Sequence, residues 1–340
     1  MTNTQDQTGK TTSNVRPASP ISRRTMIAGG LAMGAIPIFG VGEVFGQSAT
    51  PEATRVIDTP QGPVEIPANP QRVVSIDNYS MGTFFDIGYE PAGVLELTST
   101  PPLKTHQDGY EAPAKIGMLT DGLDIEAILA IHPDLIVGIT APWAADVYDQ
   151  LSGIAPTLLF DYTVANTWVV LAGQFADAVG QTAALERVIA EYDDTAAGIA
   201  TTYADLISST RWGLPNFGFG GADWRLYLED SNPGAVLAKA GITLIDAAQG
   251  QTGGWLDYSY EQINVLADAD VLLTWTSDPE GKPDESVEDL IAQPTWQTLK
   301  AVQNGNFHAS PFFVPTGYGE ATGLLLLVQT ILDDFPGGAA

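Results

Sequence analysis

The sequence predicts an α/β protein in which two α/β lobes are joined by a long helix and a ligand cleft lies between them. Three observations carry that expectation. Short β-branched runs alternate with segments of helical period, the pattern of a mostly parallel sheet covered by helices. From Asn166 to about Ser208 the alternation stops, and Trp168, Leu171, Phe175, Val179, Leu185, Val188, Ile189 and Tyr192 recur at helical spacing. After that stretch the strand–helix alternation begins again, so the chain divides into residues 1–48, 49–165, 166–208 and 209–340.

Residues 1–48 read as an address. A polar stretch leads to Ser22, Arg23, Arg24, Thr25 and Met26, followed by an apolar, glycine-rich run over residues 27–41. The run falls short of the roughly 20 strongly apolar residues that a membrane span needs. Paired arginines before such a run resemble a twin-arginine export signal, which places the mature protein in the periplasm or otherwise outside the cytoplasm. Small residues at Gly46 and Ser48 point to cleavage near Ala49.

The first lobe follows. Residues 49–70 hold several prolines and read as a leader. Residues 73–76 are a β-branched run and form a buried strand, and residues 81–87 form a helix closed by Gly88. Residues 94–97 make the next strand. Asp124 opens a helix over residues 125–131 that Pro133 ends, and a strand follows at residues 135–137. Residues 144–151 are helical, Gly153 turns the chain, and residues 157–160 are a strand. Gly180 bends or divides the helical connector.

The second lobe repeats this order. A strand is expected at residues 216–220 and a helix at residues 235–240, closed by Gly241 as the earlier one is by Gly88. Ser259 opens a helix ahead of a strand at residues 271–273, in parallel with Asp124 in the first lobe. Residues 296–302 and 307–309 complete the pattern as helix and strand. Two Rossmann-like lobes arranged in this way bind ligands at their interface.

Composition narrows the function. The 340 residues carry 14 Lys+Arg against 41 Asp+Glu, a net charge of −27. Such a surface repels phosphate backbones, so nucleic acid is excluded as a partner, while neutral or cationic ligands are favoured. Acidity of this kind also serves solubility alone. With no cysteine there is no disulfide, thiolate metal site or acylated anchor cysteine. His106, His132 and His308 stand apart in the sequence, so no clustered metal site is expected. No P-loop, nucleophile elbow or metalloprotease helix occurs, which leaves no catalytic residues and no cofactor to assign.

Several segments together carry a resemblance: Pro70 to Ser75 in sequence PQRVVS, Leu123 to Ile128 in LDIEAI with His132 to Val137 in HPDLIV, and Trp296 to Val302 in WQTLKAV. In this order and spacing around a central helix, the chain resembles the periplasmic binding proteins for iron–siderophores, cobalamin and haem over about residues 55–335. The resemblance implies a monomer that delivers its ligand to an ABC permease and its ATPase complex. It also implies that Glu126 and Glu261, each in the first turn of a helix, dock onto permease arginines. A first-turn glutamate also complements the helix dipole, so both roles stay open.

Ligand-binding candidates are the aromatics near strand ends and one cation: Tyr79, Trp143, Tyr162, Trp224, Arg225, Trp255 and Phe313. Aromatic faces suit a bulky, partly apolar chelate. An arginine among them bonds ligand oxygens while stacking, although an ion pair with Glu229 or Asp223 is an equal alternative. Trp143 and Trp255 match positions that face the ligand in hydroxamate-binding relatives. The segment Ile116 to Thr120 lacks the arginine that such relatives often carry there. The expected ligand is an Fe(III)–siderophore complex of hydroxamate type, with cobalamin or haem as alternatives. An extracytoplasmic enzyme using a carboxylate pair in the same cleft is the reading from a different class.

Overall fold

The computed structural model describes residues 53–97, 106–118, 122–163, 167–217 and 223–336. The export signal at residues 1–48 lies outside the described residues, as do Leu119, Thr120 and residues 218–221. In the segment read as a leader, β1 (Thr54–Thr59) and β2 (Gly62–Pro67) form an antiparallel hairpin. Gly62 makes its turn at φ 111°, a conformation that L side chains avoid. Pro63 and Pro67 sit near the ends of β2, where a missing N–H costs the ladder little. Ile66 between them is fully buried.

The first lobe is built from β3 (Val73–Ser75), α1 (Asn78–Asp86), β4 (Gly93–Glu96), α2 (Gln107–Glu111), β5 (Ala114–Met118), β6 (Gly122–Leu123) and α3 (Ile125–Ile131). It is completed by β7 (Leu135–Ile139), α4 (Pro142–Ala145), α5 (Tyr148–Ser152) and β8 (Thr157–Phe160). The six strands lie in the order β6-β5-β4-β3-β7-β8, and only β6 pairs antiparallel. Strands β3, β7 and β8 are buried throughout, which is why they read as unbroken apolar runs. Asp77 caps α1, accepting from the N–H of Tyr79 at 2.7 Å and of Ser80 at 3.0 Å. Asp124 caps α3 through the N–H of Ala127 at 2.9 Å. The helix expected over residues 144–151 is two short helices, α4 and α5, separated by a turn at Asp146 and Val147.

The connector holds three helices: α6 (Thr167–Ala178), α7 (Thr182–Thr202) and α8 (Ala204–Ser209). Gly180, at φ 68°, breaks it between α6 and α7.

The second lobe comprises β9 (Trp212–Gly213), β10 (Pro215–Phe217), β11 (Trp224–Tyr227), α9 (Asn232–Lys239), β12 (Trp255–Tyr258) and a 3-10 turn at Tyr260–Leu266. β13 (Val271–Trp275), α10 (Glu285–Ile291), a 3-10 turn at Trp296–Thr298, α11 (Lys300–Gln303), β14 (Phe307–Ser310) and α12 (Tyr318–Asp334) follow. This lobe is not the copy of the first that the repeated pattern predicts. It carries a parallel sheet β14-β13-β9 and a separate antiparallel sheet β10-β11-β12. The strand at Asn216 belongs to the antiparallel sheet. The helix opened by Ser259 is a 3-10 helix whose start is fixed by a capping box with Gln262.

Helix α12 had no counterpart among the expected elements, and it ties the halves together. It packs against α1, α7 and α9. Its inward face, Ala321, Leu324, Leu325, Val328, Ile331 and Leu332, is buried and merges with residues of both lobes in one apolar core. At its start Tyr318 meets Trp168 of α6 and Tyr192 of α7 edge-on, with ring centroids 4.8 and 5.4 Å away. Helix α9 is seated as closely. A Cβ on Gly234 would lie 1.9 Å from the Leu228 carbonyl oxygen, so the first turn of α9 reaches its neighbour only with glycine there.

Candidate functional site

Strand order reverses at β3: the chain steps to β4 on one side and later returns to β7 on the other. Open α/β sheets receive ligands beyond the carboxyl ends of strands at such a point. A cavity of about 360 Å³ lies there, lined by Asp77, Asn78, Tyr79, Ile139, Ala141, Pro142, Trp143 and Tyr162. Three candidates, Tyr79, Trp143 and Tyr162, thus come together from the ends of β3, β7 and β8. Tyr162 is 36% exposed, whereas Trp143 is half-buried and also packs on the core.

The floor of this cavity is polar and tightly organised. Asp77 Oδ2 accepts from Ser80 Oγ at 2.7 Å, and Ser80 Oγ lies 2.6 Å from Ser75 Oγ. Burial pushes the Asp77 carboxyl up to about 6 against the lowering effect of its bonds to Ser80 and Tyr79. Burial, and then the charge of Asp77, raise the Tyr79 hydroxyl.

The second lobe offers the antiparallel sheet. Strict alternation separates its two faces. Trp224 and Leu226 point inward and are fully buried, while Arg225 and Tyr227 point the other way. The register sets Arg225 opposite Asp257 and Tyr227 opposite Trp255. Arg225 Nε donates to Asp257 Oδ1 at 2.9 Å, and the guanidinium lies 4.7 Å from the Trp255 ring centroid. Trp255 is 44% exposed. Asn216, opposite Arg225 on β10, is buried, accepts at Oδ1 from the Phe217 N–H at 3.0 Å, and its side chain is bonded to Tyr227.

Two of the expected ligand contacts are corrected by this arrangement. Trp224 has no exposed surface: it stacks on Tyr258 at 4.7 Å and donates from Nε1 to the Ser259 carbonyl at 2.9 Å. Phe313 is also fully buried, edge-on to Tyr227 at 5.4 Å. Trp224 supports the face from beneath, whereas Phe313 packs beside Tyr227. The ion pair of Arg225 is with Asp257 on the adjacent strand, not with Glu229 or Asp223, because Asp223 accepts from the Tyr260 N–H.

Tyr227, an aromatic flanking Arg225 in the sequence, joins the site, as do Asp257, Asn216 and Asn232, which sequence reasoning missed. For Asp257 the signal was the alternation in Trp255-Leu256-Asp257-Tyr258. Asn232 had none, since its role depends on a contact between lobes. Its side chain is hydrogen-bonded to Tyr79 and donates from Nδ2 to the Pro315 carbonyl at 3.1 Å. The segment from Phe313 to Thr316 therefore runs from the Tyr227 ring to α1, where Thr316 Oγ1 lies 3.5 Å from the Asn78 carbonyl.

Glu126 and Glu261 are both exposed, away from these groups. Hydrogen bonding from the Ser259 side chain lowers the Glu261 carboxyl and keeps it ionised. Among the described residues, no group of three or more His, Asp or Glu is placed to hold a metal ion.

Two α/β lobes sharing a core, with an aromatic cavity at one switch point and a guanidinium–aromatic face on the other lobe, define a solute receptor. Residues 73–312 match the periplasmic binding protein family, and the chain belongs to it. It is 29% identical over 253 residues to the probable siderophore-binding lipoprotein YfiY of Bacillus subtilis, covering 72% of this chain and 75% of that protein. It is 27% identical over 252 residues to the achromobactin-binding periplasmic protein of Dickeya dadantii, covering 68% and 75%. The crystal structure of the siderophore periplasmic binding protein from the fuscachelin gene cluster of Thermobifida fusca superposes with a TM-score of 0.66 at 27% identity, covering 79% of this chain and 98% of that one.

Proposed function

We propose that this chain captures a ferric siderophore outside the cytoplasm and delivers it to the permease and ATPase of an ABC importer, without turnover. The observation that carries the reading is the stacked Arg225–Trp255 pair of the second lobe, with Tyr79, Trp143 and Tyr162 around the cavity of the first. Flat aromatic surfaces accept the apolar shell of a chelate, and a guanidinium bonds its oxygens. The iron travels as cargo inside the chelate. Relatives at 27–29% identity that are named for siderophore or achromobactin binding support the same class.

The hydroxamate type fits best, because the Arg225 cation of the exposed face is already paired with Asp257. A highly anionic chelate would want several basic groups. Delivery rests on Glu126 and Glu261, each of which has a large exposed apolar neighbour: Leu129 one turn along α3, 53% exposed, and Tyr260, 41% exposed. A charge flanked by an apolar contact is an effective docking point. Export follows the twin-arginine route through Arg23 and Arg24.

Native mass spectrometry of the mature chain, recovered from iron-limited medium containing ferrichrome, tests the ligand. A one-to-one ferric hydroxamate adduct is expected. An adduct of haem or cobalamin alone, or no adduct at all, would overturn it.

A further inference from the structure

We propose that Asp257 sets the charge class of the ligand: by holding the Arg225 guanidinium across Trp255, it turns that cation into a neutral pair that favours uncharged ferric chelates over anionic ones. The inference rests on the reading of this face as a ferric siderophore site.

The pairing is built into the sheet. β11 and β12 run antiparallel with Arg225 directly opposite Asp257, so both side chains rise from the same face. The bond is short and charge-assisted, 2.9 Å from Nε to Oδ1. Trp255 takes the guanidinium at 4.7 Å from its centroid, and a carboxylate on one edge with a ring beneath fixes the orientation of the planar fork. Trp255 is held in turn. Asp230 accepts from the N–H groups of Gly253 at 2.7 Å and Gly254 at 3.0 Å, clamping the backbone just before the ring. Both glycines have positive φ, 109° and 83°, so the clamp depends on them.

The electrostatic consequence is a matter of competition. An anionic chelate must take the guanidinium from Asp257 and then lie beside the displaced carboxylate, with Asp230 and Asp223 anchored at the ends of the same strands. A neutral chelate stacks on Trp255 and leaves the pair intact. Asp257 touches Arg225 and acts through it, so it is a positioning residue, and its effect appears in the ratio of two affinities.

The test is a fluorescence titration of the mature wild type, Asp257→Asn and Asp257→Glu with ferrichrome, a neutral ferric trihydroxamate, and with ferric citrate, an anionic chelate. Wild type should prefer ferrichrome. Asp257→Asn should raise ferric citrate affinity about tenfold and change ferrichrome affinity less than about threefold, because one neighbouring negative charge has gone. Asp257→Glu should keep the wild-type ratio, which a purely structural role would not distinguish from Asn. Tight binding with the same ratio in wild type and Asp257→Asn overturns this inference and leaves the ferric siderophore reading standing. Failure of wild type to bind either chelate removes that reading, and this inference with it.

Discussion

The carboxylate of Asp86, the last residue of α1, accepts a 2.9 Å hydrogen bond from the backbone N–H of Gly319, the second residue of α12. Gly317, at the cap position of α12, supplies no side chain, so a residue of the first lobe satisfies the end of a helix that continues into the second. Around the same junction Glu320 folds back onto Thr316, accepting from its N–H at 2.7 Å and its hydroxyl at 2.9 Å. His106 Nε2 lies 3.7 Å from Asp86. Burial pushes the Asp86 carboxyl up to about 7 and raises Glu320.

A raised carboxyl means that the folded chain binds a proton more tightly than the unfolded one. Between the ordinary carboxylate range and about pH 7, unfolding therefore releases protons, and the contribution of Asp86 to stability falls as pH rises through that window. The half-buried histidines His106 and His308 are lowered by desolvation and act in the opposite sense below their ordinary value, so the comparison must isolate Asp86. Asp86→Asn cannot titrate there. Its Tm relative to wild type should climb from about pH 4 to about pH 8 and then level off. Calorimetry showing a difference that does not vary with pH would contradict this.

The proposed docking role of Glu126 and Glu261 predicts that docking and ligand capture can be separated. Glu126 and Glu261 are exposed and take no part in the cavity or the guanidinium face. The double variant Glu126→Ala with Glu261→Ala should bind ligand as wild type does and keep its Tm, while uptake by cells falls about tenfold from lost charge complementarity. Normal uptake would refute the docking role, and lost binding would place these turns in the cleft.

How far the sequence carries the fold depends on how local the signal is. Asp124, the apolar run behind it and Pro133 define α3 to the residue, and β8 at Thr157–Phe160 reads directly from a buried apolar run. The hairpin β1–β2 is hidden because its prolines mimic a leader, although they fall near strand ends. Strands β11 and β12 are only four residues each, and their alternation is obscured by aromatics on both faces: Trp224 and Tyr258 inward, Tyr227 and Trp255 outward. That ambiguity put Trp224 among the ligand contacts. Phe313 was misplaced for a similar reason, since its burial against Tyr227 is a contact between segments distant in sequence. Helix α12 did carry a local signal, Ala321, Leu324, Leu325, Val328, Ile331 and Leu332 at helical spacing, but not the contacts by which it joins α1 to α9. The partners of Arg225 and Tyr79 follow from strand register and lobe apposition, which no single segment encodes.

Export is tested on the precursor. Changing Arg23 and Arg24 to Lys keeps the charge and removes the paired guanidinium groups, so precursor should accumulate in the cytoplasm. Fractionation and blotting showing normal mature protein outside would remove the twin-arginine assignment.

The central claim is that the Trp143 cavity and the Trp255 face together hold a ferric chelate. The most direct measurement is a titration of intrinsic tryptophan fluorescence with ferrichrome for wild type, Trp143→Ala and Trp255→Ala. Wild type should show saturable quenching at one equivalent, and each variant should lose affinity by about 1–3 kcal/mol, the cost of truncating an aromatic anchor. Saturable binding of ferrichrome with the same affinity in all three proteins would contradict the account.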